Sequence, residues 1–173
     1  MSLLTDFSLH REIARCNALP VMFDGFLNTA AMELSDGILA LDCVNRRPAN
    51  TFKGHAPSYH FAIIAGGIRA GNISLRVGYT KSLFYAGQIG YSVYEPHRGN
   101  GYAGRACRLL IPLMRAHGMQ KVLITNNPDN AASRRVCEKL GARLVCMVKL
   151  PWMHELYRAG DRYKNIFEWD IGI

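Results

Sequence analysis

The chain has 173 residues, of which 49% are hydrophobic and 20% charged, enough apolar material for one substantial core and about the size of one ordinary globular domain. Its 21 Lys and Arg against 13 Asp and Glu leave +8 with histidines neutral, which favours anionic partners such as nucleotides, phosphates, acidic peptides or nucleic acid without choosing among them. Cys16, Cys43, Cys107, Cys137 and Cys146 form no C-x-x-C pair and no Cys/His spacing suited to zinc, Met1 to Leu9 lacks a basic n-region, and no stretch approaches the ~20 apolar residues of a spanning helix; the expectation is a complete, cytoplasmic protein of a single domain (1–173) with free thiols, no metal and no membrane.

Asp24 to Leu34 carries Phe26, Leu27, Ala30, Ala31 and Leu34 at helical spacing, which predicts a helix. After the Asp36-Gly37 turn signal, Ile38 to Val44 reads as a strand and the polar stretch Asn45 to Pro57 as a loop. Tyr59 to Ala65 is a second strand ending at Gly66-Gly67. Asn72 to Tyr79 alternates strictly, with Ile73, Leu75, Val77 and Tyr79 on one side, and Gln88 to Tyr94 repeats the pattern with Ile89, Tyr91 and Val93. Short glycine-bearing turns between them argue for an antiparallel meander.

The rhythm then changes. From Gly101 to His117, Ala106, Leu109, Leu110, Leu113 and Met114 follow one helical face, with Gly118 as the stop and a kink expected at Pro112, which removes a backbone donor. Lys121 to Thr125 is a short strand. Asn127-Pro128 predicts an N-cap before a helix closed by Leu140-Gly141. Arg143 to Leu150 is another strand, Pro151 to Gly160 a loop, and Arg162 to Ile171 a last strand with Tyr163, Phe167, Trp169 and Ile171 on one face. The order predicts an α+β or mixed-sheet α/β domain.

Chemistry concentrates where a strand ends and a helix begins, across Tyr91-Ser92-Val93-Tyr94-Glu95-Pro96-His97-Arg98-Gly99-Asn100-Gly101-Tyr102-Ala103-Gly104. A first helical turn leaves amides without intrahelical acceptors, the macrodipole puts partial positive charge there, and glycines let a phosphate come close. Arg98 adds a full charge, and Arg105 is placed to add another. A Gly-x-Gly turn alone is also compatible with a tight connection that binds nothing.

Read as Arg98-x-x-Gly101-x-Ala103, the loop resembles the Q/R-x-x-G-x-G/A signature of the GCN5-related N-acetyltransferases (GNAT), and Ile89-Gly90-Tyr91 resembles that family's fourth strand. Asn130, Ala131, Ala132 and Ser133, in a helix ending Glu138-Lys139-Leu140-Gly141, resemble its second motif. The resemblance covers roughly Ile38 to Ile171. It implies a mostly antiparallel sheet splayed between its fourth and fifth strands, flanked by helices, with acyl-CoA in the gap. It further implies that the amides of Gly99, Asn100, Gly101, Tyr102, Ala103 and Gly104, with Arg98, hold the pyrophosphate. The main chain of Tyr91, Ser92 and Val93 would pair with pantetheine and Asn130 would bond the pantetheine arm, although Asn130 also suits a plain helix-start residue satisfying its own backbone. The implied activity is transfer of an acetyl group from acetyl-CoA to an amine acceptor, small molecule or protein amine. An activated thioester needs only alignment of a neutral amine, a backbone donor such as the Val93 amide for the carbonyl, and a proton for the thiolate.

The sequence departs from the family at its usual proton-handling positions. Cys137 stands where many members have a tyrosine, and Gln88 and Thr125 where some have a glutamate, so catalysis by alignment is expected and the catalytic residues stay open. His55, His60, His154, Glu155 and Tyr157 lie in loops that usually border the acceptor, Trp152 and Tyr157 are candidate pocket walls, and Arg134-Arg135 are candidate contacts for the ribose phosphate. The missing groups also fit a non-catalytic acyl-CoA-binding module. Nucleic acid is disfavoured, because no recognised motif or basic run with interleaved aromatics is present. The exposed edge of a terminal strand would allow a homodimer.

Overall fold

The computed structural model describes Ser8, Arg11, Glu12, Arg15 and residues 23–172. The readings made for Met1 to Leu9 (Ser8 apart) and for Cys16 lie outside those residues. Apolar side chains, alternating in β3 and buried on both faces in β2, β5 and β7, build seven strands among the described residues, β1 (Leu39–Arg47), β2 (Ser58–Ala65), β3 (Ile68–Arg76), β4 (Ile89–Val93), β5 (Lys121–Asn126), β6 (Arg143–Lys149) and β7 (Tyr163–Asp170). They form one sheet in the order β1-β2-β3-β4-β5-β7-β6. β1 to β4 are the expected antiparallel meander, β5, β7 and β6 form a second antiparallel set, and the parallel pair β4–β5 joins the two. This is the mixed-sheet α+β architecture expected.

Helices α1 (Lys81–Ala86), α2 (Tyr102–Leu109), α3 (Ile111–Ala116), α4 (Ala131–Leu140) and α5 (Glu155–Arg158) lie in the connections between these strands. On one face of the sheet Leu39, Leu41, Phe61, Ile73, Leu75, Ile89, Val122, Ile124, Phe167 and Trp169 pack with Ala106, Leu110, Leu113 and Met114 of the helical layer. Burial of so many large apolar side chains is the main stabilising term. On the other face Phe84 and Tyr85 of α1 cover Leu123, Cys146, Val148 and Ile166. The same side of the meander carries Asn45, Arg47, His60, Ser74 and Arg76 and is left as a depression of about 470 Å³. Among the described residues a helical layer therefore closes one side, while no helix covers half of the other.

Several expectations are corrected. Residues 23–34 are not a helix: apart from a 3-10 turn at Thr29–Ala31 the segment is irregular. Gly25 has φ +125°, which breaks helical geometry, and the Leu27 amide donates to Tyr59 Oη at 2.7 Å. The apolar spacing serves instead to pack Phe23 and Phe26 around Tyr59 and His117. The stretch assigned to a loop from Asn45 begins as strand, since β1 runs to Arg47 past a bulge between Cys43 and Asn45. Helix α1 was not expected; Thr80 caps it by accepting from Leu83 N at 3.1 Å, and Gly87 at φ +71° ends it, so the caps rather than any periodicity mark it. The single kinked helix after Gly101 is two helices meeting at Leu110, with Pro112 in the first turn of α3, where its missing N–H breaks no bond.

The cap of α4 is Asn130, not Asn127: Asn130 Oδ1 accepts from Ser133 N at 3.0 Å, while the Asn127 side chain is bonded to Asp161 and Lys164. The loop from Pro151 contains α5, capped by His154. Of the face predicted for the last strand, Phe167, Trp169 and Ile171 join the core, and Tyr163 is exposed. Among the described residues Cys43, Cys107, Cys137 and Cys146 are free thiols, no group of three or more His, Cys, Asp or Glu is placed to hold a metal ion, and no helix is long and apolar enough to cross a membrane.

Candidate active site

β4 pairs with β3 from Ile89 through Val93, yet with β5 only where Ile89 faces Ile124. Arg76 N donates to Gln88 O and Tyr94 N to Ala70 O. Antiparallel alternation therefore turns the N–H and C=O of Tyr91 and Val93 away from β3 and toward the gap. The strands diverge from a pinned end. There Gln88, wholly buried, accepts from Leu123 N at 2.6 Å through Oε1, donates to Gly78 O at 3.1 Å through Nε2, and sends its own amide to Leu123 O at 2.8 Å. Gly87 lets the chains come this close, since a Cβ there would lie 2.9 Å from Leu123 O. Above this pin the gap opens into a cleft of about 240 Å³ lined by Ile89, Gly90, Tyr91, Thr125, Asn126, Asn130 and Ser133, among others.

At the far end of β4 a 3-10 turn, Glu95–His97, leads into Gly99 at φ +83° and Gly101 at φ +73°, both left-handed, and Gly101 is the N-cap of α2 with no side-chain cap. Among the described residues nothing accepts from the amides of Gly99 to Gly104; the first amide of the run with an acceptor is that of Arg105, bonded to Gly101 O at 3.2 Å. Open amides at a helix start with the positive macrodipole end behind them form an anion cradle. Arg98 stands beside it, exposed, its Nε donating to Val93 O at 3.2 Å and tying the loop to the strand. Asn100 holds the turn through His97 O and Arg98 O. Arg105 does not add its charge freely, because Asp36 Oδ2 lies 2.8 Å from its Nε.

The helical wall of the cleft is α4. Tyr91 Oη lies 2.9 Å from Ser133 Oγ, and Asn126 Nδ2 contacts Cys137 Sγ at 3.8 Å. Burial pushes the Tyr91 phenol and the Cys137 thiol upward, the latter to about 11, so both stay protonated at neutral pH. Asn130 reaches the cleft wall while its side-chain oxygen serves its own helix, so the capping alternative holds for that oxygen. Thr125 lines the cleft and carries no base; Gln88 lies beneath it, wholly engaged in structural bonds.

The cleft, the open amides and the splayed parallel pair are the features the sequence resemblance implied, and residues 31–143, well over half the chain, match the family model described as the acetyltransferase (GNAT) domain. The chain belongs to the GNAT acetyltransferase family. Solved structures of similar fold include the ribosomal alpha-N-protein acetyltransferase RimL (21% identity, TM-score 0.52, covering 67% of this chain and 71% of that one). The microcin self-immunity acetyltransferase MccE, in complex with acetyl-CoA and AMP, is 18% identical with a TM-score of 0.51, covering 65% of this chain and 61% of its own. RimJ of Mycobacterium smegmatis, in complex with CoA-disulfide, is 22% identical with a TM-score of 0.52, covering 65% of this chain and 53% of its own. At such identities these likenesses speak to fold. No curated protein matches the chain in sequence.

The remaining candidates of this GNAT chain are scattered in role. His55 Nε2 lies 3.2 Å from Glu155 Oε2, a pair that joins the loop before β2 to the start of α5 beside a depression of about 570 Å³. His60 lies 3.1 Å from Ser58 Oγ, and burial together with Arg47 and Arg76 pulls its pKa down, so it is neutral at pH 7. His154 caps α5 and touches Ser82 Oγ at 3.3 Å. Tyr157 lies under the Arg162 guanidinium at 4.1 Å, Trp152 is 72% exposed, and Arg134 is paired with Glu138 at 2.9 Å, while Arg135 is exposed. Arg76 and Ser133 line the site although sequence patterning did not single out their side chains for it; the strict β3 alternation, with an arginine on the side away from the core, was the one available signal for Arg76.

Proposed function

We propose that this chain, as one GNAT-type unit over residues 1–173, moves an acetyl group from acetyl-CoA to a primary amine by direct attack on the thioester. The observation that carries the reading is the run of open amides, Gly99 to Gly104, at the mouth of the cleft where β4 leaves β5. Those amides and Arg98 take the pyrophosphate, the main chain of Tyr91 and Val93 pairs with the pantetheine arm while that of Ser92, expected to share in this, faces β3 instead, and Asn130 offers its remaining amide group along the helical wall. The Val93 N–H polarises the thioester carbonyl, the amine attacks its carbon, the C–S bond breaks to release CoA thiolate, and the proton shed by the nitrogen passes through water to that thiolate. RimL is an alpha-N-protein acetyltransferase and MccE is seen with acetyl-CoA and AMP, which supports the donor and leaves the acceptor either a protein amine or a small molecule.

CoA binding tests this directly. A ligand held only by the native state adds about 2.7 kcal/mol at roughly a hundredfold excess over its Kd, a rise of several degrees in Tm. Gly101→Trp, which fills the phosphate approach at a left-handed position, is expected to abolish that rise; an unchanged rise in the variant removes the assigned site. A non-catalytic acyl-CoA module is the second reading, favoured by the buried, fully bonded Gln88 and the inert Cys137 thiol. Release of CoA thiol across an amine library separates the two.

A further inference from the structure

Arg76 lines three depressions at once: the cleft against β5, the open face of the meander, and the hollow under residues 47–56 beside Glu155. Register explains the convergence. Arg76 faces Ser58 on β2, Ser58 faces Arg47 on β1, and the adjacent row runs Asn45, His60, Ser74, Gly90, all on the polar side of the sheet. Gly90 has no side chain to obstruct the neighbouring arginine; a Cβ there would lie 3.5 and 3.7 Å from Nη1 and Nη2 of Arg76, so the guanidinium lies across β4 at the lip of the cleft.

The guanidinium is under-compensated. Its Nη1 donates to Gly87 O at 3.3 Å, and among the described residues it makes no ion pair. Glu155, the carboxylate that bears on it, is engaged with His55. Arg47, Lys53, Arg69 and Lys164 also line these depressions, and among the described residues Glu155 is their one acidic lining residue. Lys164 is spent on Asp161 at 2.7 Å, and Arg69 on Asn72. A partly buried cation without a counter-ion is costly, and planar guanidinium geometry suits a carboxylate. Arg76 also sits at the Ile89 end of β4, roughly 13 Å along the strand from Val93 and the anion cradle beyond it, so the donor's phosphates do not meet it.

Resting on the acetyl-transfer reading, we propose that Arg76 binds a carboxylate carried by the amine acceptor, making the substrate class amines that bear a carboxylate close to the reacting nitrogen. The same arrangement assists the chemistry. Surrounding positive charge disfavours an ammonium and so favours the neutral, nucleophilic amine without a dedicated base. It also repels polyamines.

The test uses the whole protein with acetyl-CoA and thiol detection, comparing α-amino acids and short peptides with their carboxamide-capped counterparts and with spermidine. Peptides whose first residue is followed by Asp or Asn separate an α-carboxylate from a side-chain one. The wild type is expected to prefer the carboxylate member of a pair by about tenfold or more, expressed in KM rather than kcat. Arg76→Gln is expected to bring the ratio to about one, and Arg76→Lys to keep part of it. Equal or better use of capped amines or spermidine by the wild type, no turnover of any carboxylate-bearing amine, or an unchanged ratio in Arg76→Gln overturns the proposal. Should that variant not fold, the wild-type ratio and Arg76→Lys decide. A CoA-dependent rise in Tm with no carboxylate preference sinks this inference alone, whereas no rise sinks the donor reading beneath it.

Discussion

Gln88 stands where some relatives are expected to carry a carboxylate base, and its surroundings show why an amide belongs there in this chain. Its two ends bond groups of opposite kind, the Leu123 N–H and the Gly78 carbonyl, which only a side chain with both an acceptor and a donor can satisfy. Gln88→Glu keeps the acceptor, loses the donor and buries a charge. The variant is expected to lose about 1–3 kcal/mol at neutral pH, with the loss shrinking as acid protonates the new carboxyl. Urea denaturation at several pH values checks this; a gain in turnover with unchanged stability would show that the position faces the reaction instead. Nothing in the sequence showed this role, because the bonded partners lie 10 and 35 residues away. Arg98 and Gly101 were legible, since an anion cradle at a helix start is made by consecutive residues.

At the scale of elements, the divergence of β4 from β5 is held in place from the β3 side. A Cβ on Gly71 would lie 2.3 Å from Ser92 O and 3.0 Å from Val93 Cα, so β3 and β4 meet more closely there than any side chain allows. Gly71→Ala is expected to push β4 aside, destabilise the chain by about 1–3 kcal/mol and weaken CoA binding by displacing Ser92 and Val93. Paired denaturation and CoA titration measure both, and a variant normal in each would mean that β4 is positioned by other contacts. Alternation made β3 and β4 readable, and short apolar runs β2 and β5, because both signals are local. The same local reasoning failed for residues 23–34, where helical spacing is overruled by Gly25 and by the Leu27–Tyr59 bond, and for α1, whose single short turn shows no periodicity.

For the whole molecule, the titrating groups bound a pH window of stability. On the acid side burial, Arg47 and Arg76 depress His60 below its ordinary 6.5, so the unfolded chain binds the extra proton and stability falls as pH drops through that value. Glu168 resists protonation further down: burial alone would raise its pKa, but Arg15, Lys121 and Arg143 converge on it and hold it below 4.5, so its contribution is lost as pH falls past that point. On the alkaline side burial raises Cys137 to about 11 and lifts Cys107 and Tyr91 as well, so unfolding releases protons and stability declines above about pH 9. Urea midpoints are therefore expected to form a plateau between about pH 6.5 and 9. Stability rising steadily from pH 9 to about 10.5 would contradict this account.

What this sequence determined by itself was everything written in short-range pattern: the alternation of the strands, the helical face after Gly101, the glycine turn with Arg98, and through them the family. The tertiary structure alone decided which side of the sheet α2 and α3 cover, that Gln88 pins the base of the cleft, that Asp36 takes Arg105, and that Arg76 faces the cleft with no ion pair among the described residues. Those outcomes depend on strand register and on contacts between residues tens of positions apart, which carry no local signature along the chain.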